Sequence, residues 1–338
     1  MTGELLEAKD VFSKMTLDAI ATSGFGIESN SFKDPNNAIR LNVNRLLRLD
    51  GVTTWENIRL GLINIISSIS PKLMGILNLE MFPAGTFDYF SGLIRQILET
   101  RKTNTTAKRR NDIIDLLIDE LKKGKRETKP KENQEPEDEF EKDASIDTSQ
   151  LKKHEFEMEA TLLSNALLLL FAGMDTTSTG LSTLVYALVK NPHVQEKLRD
   201  EINDIVGDSD KVEFHHLQEM RYTEQVINET LRYFPIVFGF SLDRKCTRDY
   251  KVPGTEFVIP KGTIVQPSCH TFGEECFSNP NEFDPDNFDP NNNPNKYGFF
   301  GWGQGPRNCI GMRYAILTIK IALVHTLRRY CNNKIANE

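Results

Sequence analysis

The chain has 338 residues, 39% of them hydrophobic and 26% charged, with a formal net charge of −7. That composition belongs to a globular protein long enough to bury a large core. The acidic balance excludes the basic surface on which a nucleic-acid binder relies.

The opening residues hold no apolar stretch that suits a signal peptide or an anchor. Val11, Met15, Leu17, Ile20 and Ala21 then recur at helical spacing, predicting a first helix that ends near Gly24-Phe25-Gly26. Residues 58–82 are strongly apolar and broken at Pro71-Lys72, which predicts two short amphipathic helices. They either rest on a membrane surface as a lid or pack on the core. A helix over 112–121 is followed by a charged stretch, 122–153, with Pro130, Pro136 and few apolar residues. Such a segment buries too little surface to fold and reads as a disordered surface loop.

One long helix is predicted from 156 to 189, stopped at Asn191-Pro192. Its apolar run from Ala166 to Ala172 is shorter than the roughly 18 residues of a spanning helix and reads as buried. Helical segments follow at 193–206 and 215–233. Between 235 and 270, β-branched residues and the turns Val252-Pro253-Gly254 and Pro260-Lys261-Gly262 predict short hairpins. A coil rich in Asn, Pro and Asp covers 278–296, and a glycine-rich loop leads to a last helix over 311–330. The fold class is therefore mainly α with small β-sheet elements.

Cys246, Cys269, Cys276, Cys309 and Cys331 form no C-x-x-C pair, so neither a zinc site nor a disulfide framework is indicated. A reducing compartment around the folded domain fits them better. His215 and His216 are adjacent and point to different sides of a helix, a poor metal pair. His270 has no partner at metal-ligand spacing. Asn104-Thr105-Thr106 and Asn228-Glu229-Thr230 match the glycosylation pattern, but the second lies on a helix expected to be buried.

The strongest local signal is Trp302-Gly303-Gln304-Gly305-Pro306-Arg307-Asn308-Cys309-Ile310-Gly311. Three glycines and a proline at fixed offsets have a chance probability of about 10⁻⁵ per start position from average usage. The glycines let a backbone lie flat against a planar ligand and take positive φ. Cys309 precedes a helix, where amide N–H groups and the helix dipole favour a thiolate. The bland alternative is a buried structural cysteine. Here the sequence resembles the cytochrome P-450 family, whose signature loop reads Phe-x-x-Gly-x-Arg-x-Cys-x-Gly. The resemblance implies haem b as cofactor, Cys309 as the ligand of its iron, and Gly303, Gly305 and Gly311 as loop glycines. An iron-bound thiolate favours O–O cleavage. Trp302 departs from the family's Phe, and Gly301 stands where many members have proline. The indole keeps an aromatic ring beside the ligand and adds a hydrogen-bond donor, a change that bears on redox potential.

Ala172-Gly173-Met174-Asp175-Thr176-Thr177, in the middle of the long helix, is poor helix material because Thr side chains compete for backbone carbonyls. It resembles the family's oxygen-activating motif. That resemblance gives Asp175 and Thr176 the proton relay, with Gly173 making room for the haem. Glu229 and Arg232 stand at i,i+3 on one helix face. Alone they read as a solvated pair; the resemblance makes them a buried structural pair supporting the cysteine loop. The family's third member, an arginine in Pro-Glu-Arg-Phe, is Asn287 here, within Pro285-Asp286-Asn287-Phe288. The network would then rest on Arg232 alone. Phe240-Ser241-Leu242-Asp243-Arg244-Lys245-Cys246 matches the segment whose arginine meets a haem propionate, which assigns that contact to Arg244, with Arg307 as a second. A plain surface Arg244 is the alternative.

The resemblance extends over nearly the whole chain, read as one partial domain over 1–338. The family's membrane anchor, early Trp-x-x-x-Arg helix and C-terminal hairpin are expected to be missing, so the chain reads as a fragment. It implies a haem-thiolate monooxygenase acting on an apolar small molecule with dioxygen. Electrons would come from an NADPH-dependent reductase docking near Arg313, Lys320, Arg328 and Arg329. The parent is expected on the cytoplasmic face of the endoplasmic reticulum membrane, held by the missing N-terminus and in one reading by 58–82. Two rivals stand beside it: an isomerase or dehydratase that uses no dioxygen, and a truncated non-catalytic product that binds haem poorly or only binds partners.

Overall fold

The computed structural model describes residues 6–34, 36–47, 58–59, 61–63, 66, 73, 85–103, 109–123, 158–209, 211–236, 243–266, 276–277, 280–292 and 296–329. The charged stretch beyond residue 123, most of 58–82, and Asn104, Phe240, Cys269, His270 and Cys331 lie outside the described residues. The helices in chain order are α1 (Ala8–Ile20), α2 (Ala38–Leu47), α3 (Thr86–Thr103), α4 (Ile113–Lys123), α5 (Met158–Lys190), α6 (Pro192–Val206), α7 (Phe214–Glu219), α8 (Arg221–Tyr233) and α9 (Met312–Leu327). A π-helical turn at Ala21–Phe25 closes α1, where Gly26 takes φ 67° and donates its amide back to the carbonyl of Thr22. Four two-residue strands pair antiparallel: β1 (Arg244–Lys245) with β4 (Ile264–Val265), and β2 (Tyr250–Lys251) with β3 (Val258–Ile259). The β2–β3 pair is the hairpin expected about the turn at 252–254; β3 and β4, joined by the turn at 260–262, do not pair with each other, and β4 pairs with β1 instead.

The described residues gather into two compact units, one of residues 6–9 and 176–329, the other of 10–123 and 158–175, and α5 contributes residues to both. In the second unit, Leu17, Ile20 and Phe25 are buried, as are Phe90, Ile94, Ile114, Leu167 and Met174. Phe90 and Phe171 meet edge to face, with ring centroids 4.9 Å apart. Arg101 joins α3 to α4 by pairing with Asp112 and Asp115, and it also donates to the Phe25 carbonyl. The apolar run in α5 is only partly sequestered: Ala166, Leu167 and Leu170 are buried, whereas Leu168 is 64% exposed. Among the described residues no helix is long and apolar enough to cross a membrane.

In the first unit, α6, α8, α9 and the end of α5 bury Leu184, Leu188, Leu198, Ile202, Val226, Ile227, Leu323 and Val324. Each fully buried Leu or Ile contributes roughly 1.5–3 kcal/mol relative to exposure. Pro192 opens α6, where its missing N–H and fixed φ suit the first turn. The predicted helix over 215–233 is two helices. In α7, the Glu213 amide donates to His216 Nδ1 as part of a capping box, so His216 serves a helix end. Helix α8 has no side-chain cap of its own. Glu201 of α6 supplies one, accepting from the Tyr222 amide at 2.6 Å, the Thr223 amide at 2.8 Å and Thr223 Oγ1 at 2.6 Å. Glu201→Ala should therefore lower stability by about 1–2 kcal/mol, read as a shifted urea midpoint. A change below ~0.3 kcal/mol would rule out this cap.

Candidate functional site

The cysteine loop is shaped by its glycines and by one long-range backbone contact. Gly303 and Gly305 take φ 72° and 70°, a region that side-chain-bearing residues avoid. Gly311, by contrast, sits at φ −93° and caps α9. The Cys309 amide donates to the Trp302 carbonyl at 2.7 Å, closing the loop on itself, and the Met312 amide reaches back to the Cys309 carbonyl. Gly301 is needed for a different reason. A Cβ there would lie 2.9 Å from the Leu231 Cβ and 2.6 Å from the Phe299 ring, so nothing larger fits between loop and α8.

This loop forms part of the wall of a cavity of about 230 Å³. The wall includes Thr176, Thr177 and Gly180 of α5, Leu231 and Arg232 of α8, Trp302, Gly303, Arg307 and Cys309 of the loop, and Ala315 and Ile319 of α9. Residues far apart in sequence thus meet at one apolar hollow. Cys309 lines this hollow with its side chain exposed, although neighbouring protein still removes part of its hydration. That desolvation pushes the thiol pKa above its ordinary value, while a hydrogen bond from the Gly311 amide pulls it down. The amide favours the thiolate, as expected at a helix start, but desolvation outweighs it, and a cation at the sulfur is what would reverse the balance.

The hollow suits the haem that the resemblance implies. It has a sulfur donor on its wall, an apolar lining, and the buried hydroxyl of Thr177, whose Oγ1 has no hydrogen-bond partner. Arg307 lines it, but Arg244 does not; Arg244 is exposed on β1, with its Nη1 donating to the Asp243 carbonyl. Gly173 packs against Ile20, whose Cδ1 would lie 3.4 Å from an added Cβ. That is ordinary van der Waals contact, so the approach of α1 does not by itself demand a glycine here.

Glu229 and Arg232 form a buried pair with two hydrogen bonds, at 2.6 and 2.7 Å. Arg232 also donates to the carbonyls of Pro280 and Glu282, both at 2.8 Å, and Glu229 accepts from the Asp284 amide at 2.7 Å. The pair therefore ties α8 to the 280–288 segment, a link the sequence attached to the cysteine loop. Asn287 keeps a place in the network, since its Nδ2 donates weakly to Glu229 at 3.3 Å, while its buried Oδ1 has no partner. The expectation that the network rests on Arg232 alone is corrected to that extent. Because a weak bond is offset by an unsatisfied oxygen, Asn287→Leu should change stability by less than about 1 kcal/mol in thermal unfolding. A loss of several kcal/mol would show that the Asn287 bond matters more than its length implies.

Lys320 does not belong to a positive docking face. It is 1% exposed and donates to the Leu217 carbonyl and to Glu224 Oε1, both at 2.6 Å. Arg328 remains exposed, bonded to the carbonyls of Gly207 and Ser209. Among the described residues no cluster of His, Cys, Asp and Glu has the makings of a separate metal site. Two partners were missed from the sequence: Glu201, whose cap lies in another helix, and Asn228. The Asn228 Oδ1 accepts from Trp302 Nε1 at 2.8 Å. The indole donor was the signal that could have prompted a search for it.

Comparison with known proteins agrees with this geometry. The family model described as Cytochrome P-450 matches residues 2–333. The chain is 31% identical over 332 residues to cytochrome P-450 3A28 of Bos taurus, covering 97% of this chain and 59% of that protein. It is 33% identical over 345 residues to cytochrome P-450 9e2 of Blattella germanica, covering 99% of this chain and 60% of that protein. It therefore spans about three fifths of the length of these relatives. With a mostly helical fold, small antiparallel sheets and a glycine-shaped cysteine loop beside the cavity, the chain belongs to the cytochrome P-450 family.

Proposed function

We propose that the protein to which this chain belongs is a haem-thiolate monooxygenase that inserts one oxygen atom from dioxygen into an apolar small molecule, of the xenobiotic, lipid or steroid-like kind. The observation that carries this reading is that Cys309 and Thr176 line one apolar cavity although they lie on separate elements. Family membership makes haem b the cofactor, and when bound it supplies oxygen activation under thiolate ligation. Cys309 Sγ would hold the iron. Arg307, on the cavity wall, would hold a haem propionate as a guanidinium donor; Arg244, outside that wall, has the same role from the family resemblance alone. Thr176, on the cavity wall, would relay protons inward, with Asp175 beside it on α5 handing them on from solvent. The apolar wall formed by Leu231, Phe299, Ala315 and Ile319 keeps bulk water away.

Electrons come from NADPH through a reductase that docks near the exposed Arg313, Arg328 and Arg329. The protein sits on the cytoplasmic face of the endoplasmic reticulum membrane. The second reading is a non-catalytic haem-binding or partner-binding product. Turnover separates them: the haem-loaded chain with reductase, NADPH and a panel of apolar substrates should yield hydroxylated product. NADPH consumption without product, or none from a chain that holds haem, supports the non-catalytic reading. Isomerised or dehydrated product formed without dioxygen supports the isomerase or dehydratase.

A further inference from the structure

Helix α8 touches the cysteine loop at two points one turn apart. Leu231 packs beneath Gly301, where no side chain fits, and Asn228 Oδ1 accepts the Trp302 indole N–H at 2.8 Å. The two positions at which this loop departs from the family pattern, Gly301 and Trp302, are thus the two that meet α8. An indole N–H in a partly buried wall needs an acceptor, and Asn228 provides it. The same Trp302 offers its backbone carbonyl to the Cys309 amide at 2.7 Å. The adjacent Glu229, with Arg232, anchors α8 to the 280–284 carbonyls and amide, so Asn228 projects from a fixed support.

We propose that Asn228 is a positioning residue for the Cys309 ligand. It holds Trp302, and Trp302 in turn holds the backbone of Cys309. The inference rests on the reading of Cys309 as the haem ligand. It adds that the direction of the sulfur is set from α8, by a side-chain bond that a phenylalanine at position 302 would be unable to make.

The test compares Asn228→Leu, Trp302→Phe, the double variant and Asn228→Asp, which keeps an acceptor. In the haem-free chain, hydrogen exchange at the Cys309 amide should quicken about fivefold in each of the first two, the effect of one hydrogen bond. The double variant should quicken no further, and Asn228→Asp should stay near the parent. In the haem-loaded chain, the red-shifted Soret band of the reduced carbon-monoxide complex should decay to the ordinary position about fivefold faster in Asn228→Leu. Unchanged exchange in Asn228→Leu, or single effects that multiply in the double variant, would overturn the proposal. If the parent chain itself shows no red-shifted band, the haem-ligand reading fails, while the exchange data still decide whether Asn228 holds the loop.

Discussion

Arg232→Leu is expected to destabilise the protein by about 3–5 kcal/mol, a large part of what a domain of this kind has to lose. Arg232 makes two hydrogen bonds to Glu229 and two to the backbone of 280–282, and its side chain is almost wholly buried. Removing it leaves a buried carboxylate with only the Asp284 amide and a weak contact from Asn287. Replacing both partners, Glu229→Leu with Arg232→Leu, should be milder than the single change, since no charge is then stranded. The pH dependence follows from the direction of the Glu229 shift. Burial holds its carboxyl above the usual glutamate value, against the pull of Arg232, the Asp284 amide and Asn287. A group raised in the folded state contributes its stability below the unfolded pKa and loses it as pH rises through the folded pKa. Without Arg232 the shift grows, so the deficit of Arg232→Leu should be small in acid, where Glu229 takes a proton, and widen toward neutral pH. Urea unfolding at a series of pH values reads this directly. A deficit that is constant with pH would mean that Glu229 is not the group left uncompensated.

The second large effect is on Cys309. A hydroxyl is a far weaker ligand for iron than a thiolate, and the cavity offers no other sulfur among its lining residues. Cys309→Ser is expected to weaken haem binding by more than the roughly 10–100-fold that loss of a supporting contact costs a metal site. Because the Cys309 side chain is open to the cavity rather than packed, the folding stability of the haem-free chain should change by less than about 1 kcal/mol. Haem titration and urea unfolding of the same variant separate the two quantities. A comparable loss in both would assign Cys309 to the core.

The helices visible in the sequence were those whose apolar spacing or stop signals are strong. Residues 158–190, ended by Asn191-Pro192, and 192–206 fall within two residues of expectation. Helices α2 and α3 drew no prediction. Polar residues such as Arg40, Asn42, Asn44 and Arg45 dilute the apolar face of α2, and its burial depends on tertiary contacts. At the site, the cysteine loop was legible because glycine and proline offsets are local. Its partners were not, because Asn228, Glu201 and the burial of Lys320 depend on which helix faces which.

The central claim is that Cys309 binds haem iron as a thiolate. The reduced, carbon-monoxide-bound absorption spectrum of the haem-loaded chain tests it most directly, recorded beside Cys309→Ser. A strongly red-shifted Soret band in the parent, lost in the variant, is the predicted result. A band at the ordinary position in both, or a red-shifted band that survives Cys309→Ser, would contradict it.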